Sequence, residues 1–209
     1  MRPSSRPIPV ARRPRVAEER LLDGATAVFA EGGFEGATMD AIAARAGTTK
    51  PTLYARFGSK EELFAAAVER EYELRKTRLF EAYGTGDDAP FRERLRTWIT
   101  AYFDLAAERP EGFALISEGE RYAASAPAIE RGASAIIDRI AELVTRTSGR
   151  TGRRGGRLVA SMISGMLRSC ATEALRDDSI DLADAAALCE SLLYSALRGV
   201  DPDLIDAVG

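Results

Sequence analysis

The stretch TMDAIAARAGTTKPTLYARFGSKEELF, residues 38–64, decides the fold of this chain. Thr38 is a suitable N-cap for a short helix, and apolar residues follow it at helical spacing. Gly47 ends that helix, because glycine adopts the left-handed conformation at little cost. Pro51 is tolerated in the first turn of a helix, where its missing N–H breaks no hydrogen bond. The stretch is therefore predicted to form two short helices joined by a tight turn.

Longer helices are predicted on both sides of this pair. From residue 16 onward, apolar side chains share one helical face until the Gly-Gly pair 32–33 stops the helix. On the other side, Ser59 and Glu62 have the spacing of a capping box, which opens a helix predicted to reach about Tyr83. The first three helices thus form a small head, and the fourth leads away from it.

The remainder of the chain also has the pattern of helices. Five further helices are predicted at residues 91–108, 111–123, 126–147, 154–176 and 181–199. No segment alternates polar and apolar residues for long enough to predict a strand. The predicted fold is all-α, with a three-helix helix-turn-helix head (residues 16–62) on a larger helical bundle (residues 63–209) and about nine helices in all.

Positive charge is concentrated at the start of the chain. Residues 1–60 hold ten Lys/Arg and six Asp/Glu, whereas the remainder is acidic and brings the net charge to −3. Five arginines and four prolines lie in residues 1–15, which predicts a disordered tail. A basic head on an acidic body suggests a polyanion as the partner of the head. The alternative is a solvated arginine tail on a neutral domain.

The composition also excludes several classes of protein. The chain has no histidine, which removes Ser-His-Asp and Cys-His nucleophile systems and His-containing zinc sites. Cys170 and Cys189 are too few and too far apart for a metal cluster or a disulfide framework, which favours a reducing compartment. No apolar run approaches the ~20 residues of a membrane span, and no secretory signal follows the first arginines. We therefore expect a cytoplasmic protein that is not an enzyme and has no cofactor or metal.

The second helix of the pair carries side chains suited to reading DNA. Hydroxyl and cationic groups donate hydrogen bonds to phosphate oxygens and to base edges. The exposed candidates are Thr48, Thr49, Lys50, Thr52, Tyr54 and Arg56. Leu53 and Phe57, one helical turn apart, are predicted to face inward and hold the helix on the head. The pattern predicts a helix-turn-helix, although a generic pair of helices would show the same glycine turn.

These residues resemble the DNA-binding signature of the TetR family of transcriptional regulators. The matching positions are Thr38, Ile42-Ala43, Ala46-Gly47, Thr52-Leu53-Tyr54, Phe57 and Lys60, and the resemblance covers residues 16–64. Arg56 departs from the pattern, because many members carry histidine or tyrosine there. Beyond residue 64 only the general layout, an all-helical body, is similar.

The resemblance implies a role for each matched position. Thr38, Tyr54 and Lys60 are expected to contact phosphates and to fix the register on the duplex. The residues expected nearest to the bases are Thr49, Lys50, Pro51, Thr52 and Arg56, with Lys50 or Arg56 reading guanine. For Tyr54 the alternative is a packing aromatic, and for Lys60 a solvated residue of the helix cap. The N-terminal arginines either follow the minor groove or only raise non-specific affinity.

The body offers aromatic and thioether side chains for a ligand pocket. TetR-like proteins typically bind a small molecule in the body, and binding loosens their hold on DNA. The predicted pocket residues are Trp98, Tyr102, Phe103, Phe113, Ile116, Tyr122, Met162 and Met166. Methionine adapts to irregular ligands, and Trp98 shares a helical face with Tyr102. The alternative for each of these residues is ordinary core packing.

The last predicted helix is apolar on more than one side, so it needs more than one packing partner. The helix before it carries small residues that allow another helix to approach closely. In the resembling family this helix pair builds a two-fold dimer interface of four helices. The predicted interface residues are Ser161, Gly165, Leu188, Leu192, Ser195 and Ala196. Burial inside a monomer core is the alternative.

These features together predict a homodimeric, sequence-specific transcriptional regulator that acts as a repressor. Its partners are a pseudo-palindromic double-stranded operator, a second copy of the chain and a small hydrophobic or aromatic effector that releases the operator. A ligand-independent architectural DNA-binding protein is the alternative, and it predicts weak sequence preference with a steep salt dependence. A small helical enzyme is a third possibility, which the lack of histidine, metal ligands and a nucleotide-binding glycine loop disfavours.

Overall fold

The computed structural model describes residues 15–84, 89–148 and 153–201, together with Asp203 and Ala207. The predicted arginine-rich tail lies outside the described residues apart from Arg15. In the described part of the chain the regular structure is entirely helical, which confirms the all-α prediction. The helices are α1 (Arg15–Gly36), α2 (Met39–Arg45), α3 (Lys50–Phe57), α4 (Lys60–Gly84), α5 (Phe91–Glu108), α6 (Pro110–Gly119), α7 (Ala126–Ser148), α8 (Arg153–Arg176) and α9 (Leu182–Gly199).

The head packs α1, α2 and α3 against the first turns of α4. The side chains of Phe29, Leu53 and Phe64 are fully buried at its centre. At Gly33 the backbone of α1 leaves helical geometry, with φ 66° and ψ 174°, as the glycine pair predicted. This turn brings Phe34 back against Phe29, with the two ring centroids 6.1 Å apart.

One helix boundary differs from the prediction. The α6 helix ends at Gly119 rather than at residue 123. The single O–H of Ser125, which is fully buried, is shared in a bifurcated pair of hydrogen bonds with the carbonyl oxygens of Gly119 (2.6 Å) and Tyr122 (2.9 Å). These two bonds hold a tight turn where the sequence pattern had favoured one more turn of helix.

The body is a bundle in which α4 is the element that continues from the head. With 25 residues, α4 is about 37 Å long, and it packs against α1, α5, α6 and α7. The partly buried carboxylate of Glu190 on α9 accepts hydrogen bonds from Arg92 (3.0 Å) and Arg96 (3.1 Å) of α5. These two arginines hold the pKa of Glu190 below its ordinary value and tie the last helix to the bundle.

The two cysteines, which are distant in sequence, are neighbours between α8 and α9. Burial and a hydrogen bond with Cys170 raise the pKa of the Cys189 thiol to about 12. Both thiols are free. Among the described helices, none is both long enough and apolar enough to cross a membrane.

Candidate nucleic-acid interface

The geometry of α2 and α3 is that of two short helices joined by a tight turn. The hydroxyl oxygens of Thr38 and Thr49 cap the two helices by accepting from the backbone N–H groups of Ala41 (3.2 Å) and Thr52 (3.4 Å). Gly47 has a φ of 63° between the helices, a conformation that strains any side chain. The caps and the turn therefore place α3 at a fixed angle to α2.

One side of α3 is buried and the other is free to meet a partner. Leu53 is fully buried, whereas 44% of Tyr54 is exposed. The predicted base-reading residues are all exposed in the structure: Thr49, Lys50, Pro51, Thr52 and Arg56. Thr48 is half-buried in the turn, where its N–H donates to the carbonyl of Ala43 at 2.9 Å. The exposed side of α3 is thus rich in hydroxyl and cationic donors.

Both cations of α3 are paired with carboxylates. Lys50 Nζ lies 2.9 Å from Oδ2 of Asp40, and this carboxylate raises the pKa of Lys50 above its ordinary value. Arg56 forms an ion pair with Glu18 of α1. Exposed ion pairs contribute little to stability, so phosphate or base oxygens can replace these carboxylates at low cost.

Lys60 has a second role that the sequence pattern did not predict. Its ammonium donates to the carbonyl oxygens of Phe34 (2.9 Å) and Ala37 (3.2 Å) and lies 4.3 Å from the centre of the Phe34 ring. These bonds tie the start of α4 to the end of α1. An ammonium group has three donors, so a third remains for the predicted phosphate contact. The alternative of a merely solvated residue is wrong for Lys60.

A buried carboxylate joins the head to the body. Glu71 of α4 accepts hydrogen bonds from Arg109, at 3.0 and 2.8 Å, and from Arg70 at 2.6 Å. Arg70 also bonds Asp23 of α1 at 2.7 Å and Thr26 at 3.0 Å. Burial raises the pKa of Glu71, but the hydrogen bonds and charges of Arg109 and Arg70 outweigh it and hold the pKa below its ordinary value. The cluster stays ionised and connects α1, α4 and the start of α6.

The predicted pocket residues are not gathered around one cavity. Tyr102 and Phe113 pack on each other in the interior, with ring centroids 5.4 Å apart, whereas the half-buried Trp98 packs on Tyr83 at 5.2 Å. Tyr122 instead packs on Phe34, with ring centroids 4.6 Å apart, and so belongs to the junction with the head. Phe103 and Ile116 are buried core residues, and Met166 is half-buried against the core.

Met162 requires a correction. The structure leaves 63% of this side chain exposed, so the prediction that it lines an interior pocket is wrong. The helical phase of α8 explains the difference, because Met162 lies about 100° around the helix from its buried neighbour Ile163.

Two of the clefts on the surface of the body border predicted pocket residues. One, of about 470 Å³, lies between α1, α6 and α8 and is lined partly by Phe29, Phe113 and Glu118. The other, of about 340 Å³, lies between α5 and α9 and is lined partly by Phe103 and Glu190. Within the described residues, no group of three Cys, Asp or Glu side chains is placed to hold a metal ion.

The predicted interface residues lie on an exposed face of α8 and α9. Leu188 and Leu192 are 58% and 53% exposed, one helical turn apart. The remaining members, Ser161, Gly165, Ser195 and Ala196, are exposed or half-buried. A Cβ added at Gly165 would meet no atom within 4 Å. Burial of this set within the monomer core, the alternative interpretation, is therefore wrong.

Three charged residues of the body were missed by the sequence reasoning: Glu71, Arg75 and Arg109. Glu71 and Arg75 occupy buried positions of α4 that continue the spacing of Ala67 and are followed by Leu79. Charged residues at intervals of four on an apolar helical face are a signal that could have identified this pair. Arg109 lies before Pro110 in the turn between α5 and α6, and nothing in its sequence position indicates that it binds Glu71.

Comparisons with known proteins agree with this geometry. A family model described as "Bacterial regulatory proteins, tetR family" matches residues 21–67. The transcriptional activator FasR of Mycolicibacterium smegmatis is 32% identical over 147 residues, which are 69% of this chain and 66% of FasR. The transcriptional repressor SCO4008 of Streptomyces coelicolor is 34% identical over 113 residues, 54% of each chain. The chain thus spans about two thirds of the length of FasR and half of that of SCO4008.

Similarity to a crystal structure extends over the whole length of a relative. A TetR-like transcriptional regulator from Rhodococcus sp. RHA1 is 31% identical, with a TM-score of 0.71, and the match covers 90% of this chain and 100% of that one. The family model falls on the helix-turn-helix head, and this structure also shares the body. The chain therefore belongs to the TetR family of transcriptional regulators.

Proposed function

We propose that this chain is a homodimeric, sequence-specific DNA-binding regulator, and not an enzyme, whose hold on its operator is weakened by a small molecule bound in the body. The observation that carries the proposal is the exposed, donor-rich side of α3, fixed on the head by the buried Leu53. Such a regulator acts on chromosomal DNA, so we place it in the cytoplasm.

We infer that α3 enters the major groove of the operator. The cations of Lys50 and Arg56 are suited to the O6 and N7 acceptors of guanine. Thr38 and Tyr54 are suited to phosphate oxygens, which fix the register without reading sequence. Lys60 adds a phosphate contact with its remaining donor while it holds α4 on the end of α1.

A second copy of the chain is the partner that fits the exposed face of α8 and α9. Leu188, Leu192 and Met162 are more than half exposed, which is costly for a monomer in water. Pairing these helices across a two-fold axis would bury all three and place two copies of α3 on one side of the DNA. The operator would then be a pseudo-palindrome with half-sites about one helical turn, roughly 34–36 Å, or a multiple of it, apart.

The link from the body to the head runs through α4 and the cluster around Glu71. Arg109, at the start of α6, donates a hydrogen bond to the carboxylate of Glu71. Arg70 binds the same carboxylate and also Asp23 of α1. A ligand that displaces α6 changes these bonds and with them the angle between α1 and α4. Coupling of this kind is typically worth about 1–3 kcal/mol, a change of about 5–150-fold in operator affinity.

Whether the regulator represses or activates is decided by where its operator lies. FasR is named an activator and SCO4008 a repressor, so these two relatives differ in this respect. We propose repression. A reporter gene behind the selected operator tests it, with lower expression in the presence of the protein as the expected outcome and higher expression as the contrary one.

Salt dependence and sequence preference separate this function from architectural DNA binding. The affinity for the operator and for a shuffled duplex of the same composition is measured between about 50 and 200 mM salt. A regulator binds the operator about 10³-fold or more tightly than the shuffled duplex. Equal affinities for the two duplexes with a steep salt slope would instead indicate the architectural alternative.

A further inference from the structure

We propose that the interior of the body around Arg75 is a binding site for a small organic anion, one that carries a carboxylate or phosphate on an apolar carbon skeleton. This inference rests on the proposed function, because it names the chemical class of the effector. Its starting point is the burial of Arg75 of α4, of which only 6% is exposed.

The charge of Arg75 has no counter-ion in the described part of the chain. Its Nε atom is buried without a hydrogen-bond partner, and no described carboxylate lies within ion-pair distance of its guanidinium. Glu71, one turn earlier on α4, is already bonded to Arg70 and Arg109. A buried guanidinium is costly unless an anion pairs with it. The described residues supply no such partner, and a bound anion would supply it.

Aromatic rings surround this guanidinium. Its Cζ atom lies 4.1 Å from the ring centroid of Phe113, 5.5 Å from that of Tyr102 and 5.6 Å from that of Tyr72. Rings at these distances attract a cation through their faces. They do not provide hydrogen-bond acceptors for the N–H groups, which point outward in the plane of the guanidinium. They also form an apolar wall against which a carbon skeleton can pack.

Two further side-chain donors, both on α5, are buried without a partner. They are the hydroxyl of Tyr102 and the indole N–H of Trp98. The two side chains are four residues apart on α5 and therefore share a face of the helix. An arginine and an indole only donate hydrogen bonds, and a phenol donates readily. Of the two, the Tyr102 ring lies 5.5 Å from the guanidinium of Arg75, and a group that satisfies both side chains is rich in acceptors and negatively charged.

The space beside Arg75 is closed in this structure. A cavity of about 10 Å³, the size of a single water, lies beside Arg75, Phe113 and Glu71. The charge of Glu71 in its wall is balanced by the bonds to Arg109 and Arg70. A ligand larger than water must therefore move α6 away from α4. Gly112 of α6 packs directly on Glu71, where an added Cβ would lie 2.3 Å from Oε2. Entry of the anion thus acts on the same contacts that join the body to the head.

Calorimetry with the full-length chain tests the proposal. The probes are decanoate, used below its micelle-forming concentration, and decan-1-ol, which has the same chain length without the charge. We expect decanoate to bind at least roughly tenfold more tightly, and we expect Arg75→Met to remove that preference while leaving decan-1-ol unchanged. The matched control is Arg78→Met, because Arg78 lies on the same helix but is exposed and paired with Glu108.

The outcomes are distinguishable from failure of the proposed function. Equal affinities of the wild type for the two probes, binding of neither probe, or an unchanged decanoate preference in Arg75→Met would each overturn the anion site. The comparison of probes on the wild type decides the matter even if Arg75→Met does not fold. Operator affinity is measured on the same preparations, and only its absence in the wild type contradicts the proposed DNA-binding function.

Discussion

Arg109, which precedes α6, donates two hydrogen bonds to the buried carboxylate of Glu71 on α4, at 3.0 and 2.8 Å. The same carboxylate accepts from Arg70, whose guanidinium reaches Asp23 on α1. These hydrogen bonds join α4 and the start of α6, in the body, to α1, which supports the head. They give the protein a fixed angle between these helices and a point at which a ligand can change it.

The stability of this contact is expected to depend on pH. The pKa of Glu71 is lower in the folded chain than its ordinary value of 4.5, so its stabilising contribution is complete above that value and is lost as the pH falls through the folded pKa. Glu71→Gln keeps the shape but not the charge, and we expect it to lower the free energy of unfolding by about 1–3 kcal/mol at pH 7. Urea denaturation of the wild type and of Glu71→Gln at pH 7 and at pH 4 checks this. If the difference in their free energies of unfolding is as large at pH 4 as at pH 7, the prediction is wrong.

Dimerisation is expected to depend on Leu192. This side chain is 53% exposed, so Leu192→Glu costs the monomer little but places a charge in the proposed interface. We expect the dissociation constant of the dimer to rise at least about tenfold by analytical ultracentrifugation. Leu74→Glu is the control, because Leu74 is an exposed leucine of α4 away from that face. A wild type that is monomeric at micromolar concentrations would show the interface to be wrong.

Lys60 is expected to contribute to both DNA binding and the integrity of the head. Lys60→Ala removes the bonds to the carbonyl oxygens of Phe34 and Ala37 and should lower the thermal midpoint by a few degrees. If its third donor also meets a phosphate, the slope of log affinity against log salt falls by about one. If Lys60→Ala lowers the thermal midpoint but leaves the slope of log affinity against log salt unchanged, Lys60 stabilises the head and does not contact a phosphate.

Effector and operator are expected to oppose each other to the same extent. By thermodynamic linkage, an anion that lowers operator affinity by some factor must bind the DNA complex more weakly by that factor. Trp98, the sole tryptophan, lies one turn from Tyr102 on α5, so we expect its fluorescence to report the titration with decanoate. Binding of decanoate that leaves operator affinity unchanged would contradict the coupling through α6.

The head could be predicted from local signals, whereas the interior of the body could not. Thr38, Gly47 and Pro51 each have a conformational preference that acts within one turn of the chain, and the structure follows these preferences. Met162 was placed wrongly because helical spacing gives a face but not the neighbour that this face meets. The pairing of Glu71 with Arg109 joins residues far apart in sequence, and no local pattern encodes it.

Selection of binding sites from random duplex DNA shows whether a dimer reads DNA through α3. We expect the wild type to select an inverted repeat with half-sites about one helical turn, or a multiple of it, apart. We expect Arg56→Ala to lose the preference for a guanine at one symmetric position. Arg131 is an exposed arginine of α7, so the control variant Arg131→Ala should select the wild-type site. Selection of no common sequence, or of the same sequence by Arg56→Ala, would contradict the assignment of α3 as the helix that reads the operator.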